Sequence, residues 1–284
     1  KAETARQALR KCRLCPRKCG VDRLKKDPKG ICQTGALTKV ASFHPHFGEE
    51  APLVGRNGSG TIFFSHCNLN CSFCQNFDIS HGGVGRIANS AELAAMMIDL
   101  QHAGCHNINF VSPSHVVPQI LTALEIAVDQ GLHIPLIYNT GGYDRVNTLK
   151  LLEGIIDIYM PDFKFWSHEV ATMTCQAPDY PEVCCKAIKE MHRQVGDLNI
   201  GDDGIARRGL LIRHLVLPHG LGGTRDIMHF IATQLSIETY VNIMGQYRPC
   251  GDAFKIDVLK RRTSRNEFEE AVRQATEQGL LRLD

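Results

Sequence analysis

Gly60-Thr61-Ile62-Phe63-Phe64-Ser65-His66-Cys67-Asn68-Leu69-Asn70-Cys71-Ser72-Phe73-Cys74 is the stretch on which the fold turns. Its first part, from Thr61 to Phe64, is a short apolar run that follows a glycine, the pattern of a buried strand. Its second part delivers Cys67, Cys71 and Cys74, spaced C-x-x-x-C-x-x-C, onto the loop after that strand. In α/β folds the reactive groups gather at the carboxyl ends of strands, so a strand that runs straight into soft ligands raises the expectation of such a fold.

Downstream the periodicity supports it. Residues 89–103 read as a helix capped by Asn89 or Ser90 and stopped by Gly104. Strand patterns follow at 106–112, 134–140, 155–160, 209–217 and 240–245. Helical patterns lie between them at 117–130, 146–153, 181–195 and 224–235, with a closing helix at 264–279. Ser264 and Glu267 have capping-box spacing at its start. Six strands alternating with helices predict βα units and a parallel sheet, because each parallel connection needs a crossover. An open doubly wound sheet and a curved partial barrel share that alternation. Candidate residues recur at strand ends, which favours an α/β partial (β/α)6 TIM-like barrel of parallel strands, residues 59–284, behind an N-terminal Cys-rich extension and connecting loop, residues 1–58.

The balance of apolar and charged residues is that of an ordinary globular protein. No run approaches the roughly 18–20 apolar residues of a membrane span. Residues 1–11 hold no apolar core of a signal peptide, so a cytoplasmic location and no membrane partner are expected. A net charge of +2 without a long basic run gives no electrostatic case for nucleic acid. Seven of the twelve cysteines fall in the first 74 residues, and clustered cysteines in a large domain point to metal rather than disulfides.

Thiolates select zinc, copper(I) or iron–sulfur clusters. A cubane cluster takes four cysteines as a rule, and three on one short loop leave one iron open to a non-protein ligand. The competing reading is a three-Cys zinc site completed by His66 or His81. The spacing, the preceding strand and Phe73 before the last cysteine favour the cluster. With these features on a βα array, the chain over residues 60–250 resembles the radical S-adenosylmethionine (SAM) superfamily. Within it, the segments from Cys12 to Arg23, His46 to Glu50 and Cys74 to Asn76 resemble proteins related to the pyruvate formate-lyase activating enzyme, the glycyl-radical activases.

The resemblance implies a 4Fe-4S cluster on Cys67, Cys71 and Cys74 and reductive cleavage of SAM to a 5′-deoxyadenosyl radical. It also implies a flavodoxin- or ferredoxin-type electron donor and, for an activase, a glycyl radical protein as substrate. Met160-Pro161-Asp162-Phe163-Lys164 resembles the family's M-x-D-x-K segment, which makes Asp162 and Lys164 candidates for SAM; a surface Asp–Lys pair is the alternative. Asn139 stands where activases carry an Asp, ahead of Gly141-Gly142. Arg213 matches the R-x-V-x-P strand, against a snorkelling arginine. The family's G-G-E motif is replaced by Ser112-Pro113-Ser114-His115, so Ser112 and Ser114 are the stand-in contacts. Gln246 and Tyr247 replace the last-strand His, and Gln246 is the candidate there.

Cys12, Cys15, Cys19 and Cys32 supply a second set of soft ligands, suited equally to structural zinc or an auxiliary cluster. His44, His46, Glu49 and Glu50 form a polar cluster expected as a lid or substrate loop, or as a solvated loop. Trp166 reads as packing. Three functions compete: a glycyl-radical activase, a radical SAM enzyme acting on another peptide, RNA or small molecule, and a non-catalytic zinc-binding module.

Overall fold

The computed structural model describes residues 1–25 and 30–284; residues 26–29 of the Cys-rich extension lie outside the described residues. Nine strands form the sheet: β1 (Thr38–His46), β2 (Ser59–Phe64), β3 (Arg86–Ala88), β4 (Ile108–Val111), β5 (Leu136–Thr140), β6 (Ile158–Pro161), β7 (Asn199–Ile200), β8 (Ala206–Leu215) and β9 (Tyr240–Met244). Six of them, β2, β4, β5, β6, β8 and β9, are parallel and neighbour one another in that order. The pairing Ile62, Phe110, Tyr138, Tyr159, Leu210 runs as one row across five strands. Helices Ser90–His102, Val117–Asp129, Val146–Leu152, Tyr180–Val195 and Thr224–Gln234 make the crossovers. This is the expected α/β architecture of parallel strands. The barrel is not closed, for β9 pairs with β8 and not with β2 among the described residues.

Besides the short strands β3 and β7, two longer elements differ from the sequence reading. Residues 38–46, expected within a connecting loop, form β1, which runs antiparallel to β2 and extends the sheet past the first parallel strand. Its sequence, TKVASFHPH, lacks clean alternation and contains Pro45, which demotes a run as a strand candidate. Pro45 is tolerated because it pairs with Gly60 where β3 does not reach; β3 pairs only with Thr38, Lys39 and Val40. Helix His168–Cys175, capped by Ser167, is the second; eight residues give too little periodicity to read.

The short helix Ala51–Val54 plugs the interior of the open barrel. Leu53 is fully buried there among Ile137, Ile158, Met160, Leu198, Ala206 and Leu211. Its carbonyl accepts from Asn107 Nδ2 at 2.8 Å, which ties the plug to the row of β4 that faces it. Outside the sheet, Phe64, Phe110, Tyr138 and Tyr159 join the larger core beneath the helices. The alternation of a strand therefore separates the two environments: one face is packed by helices, the other faces the plug.

Candidate active site

The cysteine loop leaves β2 through a sharp turn. His66 and Asn70 both adopt left-handed backbone, with φ of 67° and 53°, and so bracket Cys67. The loop is then held from several directions. His66 N–H donates to Ile79 O at 2.9 Å, Ser72 N–H to Thr174 O at 2.8 Å, and Asn68 Nδ2 to Tyr143 O at 2.7 Å. Phe73 anchors it from below in edge-to-face contact with Phe165 and Tyr247. The three cysteines lie within electrostatic reach of one another. Burial, and then the charge of Cys71, pushes the Cys67 thiol up to about 12. Cys74 is raised by burial and by Cys71. Cys71 is raised by a hydrogen bond with Cys175 and by burial. Such thiols stay protonated until a metal cation replaces the proton, which reverses the balance. Among the described residues no three His, Cys, Asp or Glu side chains gather around a single ion. The loop offers three soft donors, the donor chemistry of an iron–sulfur cluster.

Opposite the loop, the strand ends bring four of the expected residues together. Arg213 on β8 donates through Nε to Asp162 Oδ1 at 2.9 Å and through Nη2 to Asn139 Oδ1 at 2.7 Å. Lys164 Nζ donates to Asp162 Oδ2 at 2.6 Å. Asp162 is therefore shared by two cations. Burial would raise its pKa, but Arg213 and Lys164 outweigh burial and hold it below the usual carboxylate range. Burial works against the Lys164 charge, yet Asp162 and Cys71 raise its pKa and keep it an ammonium. Lys164 lies beside the cysteine loop: a Cβ on Gly141 would meet Leu69 Cδ2 at 3.3 Å and Lys164 Cε at 3.6 Å, and the Lys164 charge lowers the pKa of Cys71 and Cys74. Tyr180 braces this corner: its hydroxyl accepts from Lys164 N–H at 2.9 Å and lies 3.0 Å from the carbonyls of Gly141 and Asp162.

No family model matches the chain. Over 287 aligned residues, covering 99% of this chain and 78% of the relative, it is 31% identical to the uncharacterized protein MJ0674 of Methanocaldococcus jannaschii. The chain belongs to the MJ0674 family. Its fold is similar to that of a radical SAM methyltransferase from Sphaerobacter thermophilus, with a TM-score of 0.51, 13% identity, and coverage of 79% of this chain and 65% of that one. It is similar also to HydG, a maturase of the FeFe hydrogenase, with a TM-score of 0.53, 13% identity, and coverage of 77% of this chain and 49% of that one. The chain spans less than two thirds of the length of either structure, and at these identities the likeness is one of fold.

In this member of the MJ0674 family the interior is more polar than the sequence suggested. Glu49 and Glu50, expected on a lid or a solvated loop, precede the plug and point into the barrel. Glu49 Oε2 lies 3.4 Å from Arg213 Nη1, and Glu50 Oε1 accepts from Asn242 Nδ2 at 2.8 Å. Burial raises the Glu49 pKa above the usual carboxylate range, with Arg213 opposing. His46 Nδ1 stands 3.4 Å from Glu49 Oε1 without a hydrogen bond, while His44 stacks on Phe63. Asn109, fully buried, has neither amide atom paired, and Glu50 Oε2 is also unpaired. Asn109 shares the face of β4 with Asn107, whose amide reaches the plug, so it faces the same interior. The signal for Asn107 and Asn109 was present as two amides in alternation on an otherwise apolar strand.

Of the other candidates, Ser112 borders this centre through its backbone and the rest lie apart from it. Ser112 takes left-handed backbone, φ 58°, just after β4, and its N–H donates to Asn139 O at 2.9 Å. Ser114 is buried in a separate network: its Oγ lies 3.0 Å from Thr140 Oγ1, which donates to Asp144 beside Tyr138. Gln246 is exposed and its neighbour Tyr247 is buried, with its hydroxyl on Leu259 O. Trp166 packs against Phe163 and Phe230. At the N-terminus, burial pushes the Cys15 thiol up to about 12, with Cys32, Cys12 and Cys19 raising it further, but among the described residues these cysteines do not gather into a group that could hold a metal ion. Arg23, buried beside them, contacts Cys12 Sγ at 3.8 Å and donates to Thr34 O and His115 O.

Proposed function

We propose that the chain is a radical SAM enzyme with a 4Fe-4S cluster on Cys67, Cys71 and Cys74. One observation carries the reading: three soft donors on the loop after the first parallel strand stand beside the Lys164–Asp162–Arg213 group at the ends of β6 and β8. When bound, such a cluster supplies one electron for cleavage of the SAM sulfonium. The chain's own residues orient the reactants. Lys164 is positioned to neutralise a carboxylate next to the cysteine loop, and Asp162 fixes the direction of both Lys164 and Arg213. The plug and β1 shield the interior from water, which protects radical chemistry from quenching. Asn109, Glu49 and Glu50 supply polar groups to a substrate held above the plug.

As the finer reading, the substrate is a glycyl radical protein, supported by the segments from Cys12 to Arg23 and His46 to Glu50, with a flavodoxin or ferredoxin as donor. A second metal, zinc or an auxiliary cluster, on Cys12, Cys15, Cys19 and Cys32 is supported by their number and spacing in the sequence alone. Anaerobic purification followed by iron and sulfide analysis tests the core of the proposal, and tight zinc with no iron would refute it. Dithionite-driven formation of 5′-deoxyadenosine is expected in the wild type and abolished in Cys71→Ala. A glycyl radical doublet by electron spin resonance, on incubation with a glycyl radical protein, tests the activase role.

A further inference from the structure

Arg17 lies in the stretch Cys15-Pro16-Arg17-Lys18-Cys19, far in sequence from the cysteine loop, yet its guanidinium is spent entirely on that loop and its neighbour. Nε donates to Asn68 O at 2.9 Å, and Nη2 donates to Leu69 O at 3.1 Å and Cys175 O at 2.7 Å. Nη1 donates to Gln176 O, and the group lies 5.3 Å from the centre of the Tyr143 ring. Arg17 thus bridges the loop between Cys67 and Cys71 to the end of helix His168–Cys175.

One of those carbonyls has a specific partner on the far side of its peptide plane. The Asn68 carbonyl shares its peptide with the Leu69 N–H, which points at Cys67 Sγ across 3.4 Å. A trans peptide is rigid and its C=O and N–H point in opposite directions. A cation on the oxygen therefore fixes where the N–H points and strengthens it as a donor, since linked hydrogen bonds polarise one another. Hydrogen bonds to cluster sulfurs are one of the main controls of reduction potential. They favour the reduced state, which carries the extra negative charge.

We propose that Arg17 is a positioning residue that raises the reduction potential of a cluster on Cys67 by holding and polarising the Asn68–Leu69 peptide group that donates to its sulfur. The inference rests on the radical SAM reading. It assigns the N-terminal extension a task in electron transfer: Arg17 sits between Cys15 and Cys19, so the packing of that extension sets the strut against the loop.

The test uses the full chain, loaded anaerobically with iron and sulfide, as wild type, Arg17→Lys and Arg17→Ala. Iron content and circular dichroism establish loading and folding, and a redox titration followed by electron spin resonance gives the midpoint. Arg17→Ala is expected to lower the midpoint so that, at the wild-type midpoint, the reduced-to-oxidised ratio falls about tenfold, about 59 mV for a one-electron couple. Arg17→Lys keeps the charge but loses the fork, and its midpoint is expected between the two. A loaded Arg17→Ala chain with an unmoved midpoint overturns the proposal alone. Should Arg17→Ala fail to load, a loaded Arg17→Lys chain with the wild-type midpoint overturns it equally. A wild-type chain that takes up no cluster overturns the enzyme reading and this proposal together.

Discussion

Arg213 Nε donates to Asp162 Oδ1 at 2.9 Å, and the same carboxylate accepts Lys164 Nζ through its other oxygen. The backbones of Asp162 and Arg213 pair as well, so the end of β8 and the residue after β6 are locked twice. Asp162→Asn removes the negative charge that two buried cations share. Breaking one member of a buried pair strands the others, and the expected loss is about 3–5 kcal/mol in urea unfolding. Deoxyadenosine formation is expected to fall too. A stability within about 0.5 kcal/mol of wild type would show that the triad is not the keystone described.

His214 is buried between Phe163 O, 2.8 Å from Nδ1, and Thr224 Oγ1, 2.9 Å from Nε2. Burial pushes its pKa down to about 4, against about 6.5 in an unfolded chain. Between those values the unfolded state binds the extra proton. This contribution to stability is therefore complete above about pH 6.5 and is lost as pH falls toward 4, about 3 kcal/mol in all. His214→Gln should flatten the stability curve measured by urea midpoints over that window. Equal slopes in the two proteins would count against a neutral, buried His214.

Gly142 follows β5 with φ +77°, and a Cβ there would lie 2.4 Å from Asp162 O and 2.7 Å from Cys184 Sγ. Gly142→Ala combines a left-handed backbone with a collision against the main chain of the ion-pair corner. A loss of at least about 2 kcal/mol is expected, with weakened SAM binding by calorimetry. Gly154→Ala, φ +73° with nothing within 4 Å of its Cβ, isolates the backbone cost and should lose less.

Leu53 fills the base of the barrel from a four-residue helix. Truncation to alanine leaves a cavity among rigid strands, costing about 2–5 kcal/mol. Since Glu49 and Glu50 ride on the same plug, Leu53→Ala is also expected to lower turnover beyond what its residual folded fraction explains. Normal turnover per folded molecule would detach the plug from the site.

Much of this was legible in the order of residues. Six strands, their crossover helices and the capping box at Ser264 and Glu267 follow from local periodicity, and all are present. The convergence of Asn139, Asp162, Lys164 and Arg213 also followed, because parallel strands send their carboxyl ends to one side. Ser114 and Gln246 did not join them. Ser114 lies in the short 3-10 turn Pro113–His115 and bonds into the Thr140–Asp144 network, and Gln246, two residues past β9, is exposed; neither stands on a strand, so strand alternation does not decide where it points.

The three cysteines of the 67–74 loop are a local property: spacing and a preceding strand determine them without reference to the rest of the chain. What surrounds Cys67 is not local. Arg17 reaches across 51 residues to the Asn68 carbonyl, and Glu50 across 192 to Asn242. No periodicity encodes such pairs, since they depend on how the extension and the plug pack against a sheet already formed. The sequence alone thus specifies a cysteine loop on a parallel α/β scaffold, whereas the folded chain decides which charges and peptide dipoles that loop will feel.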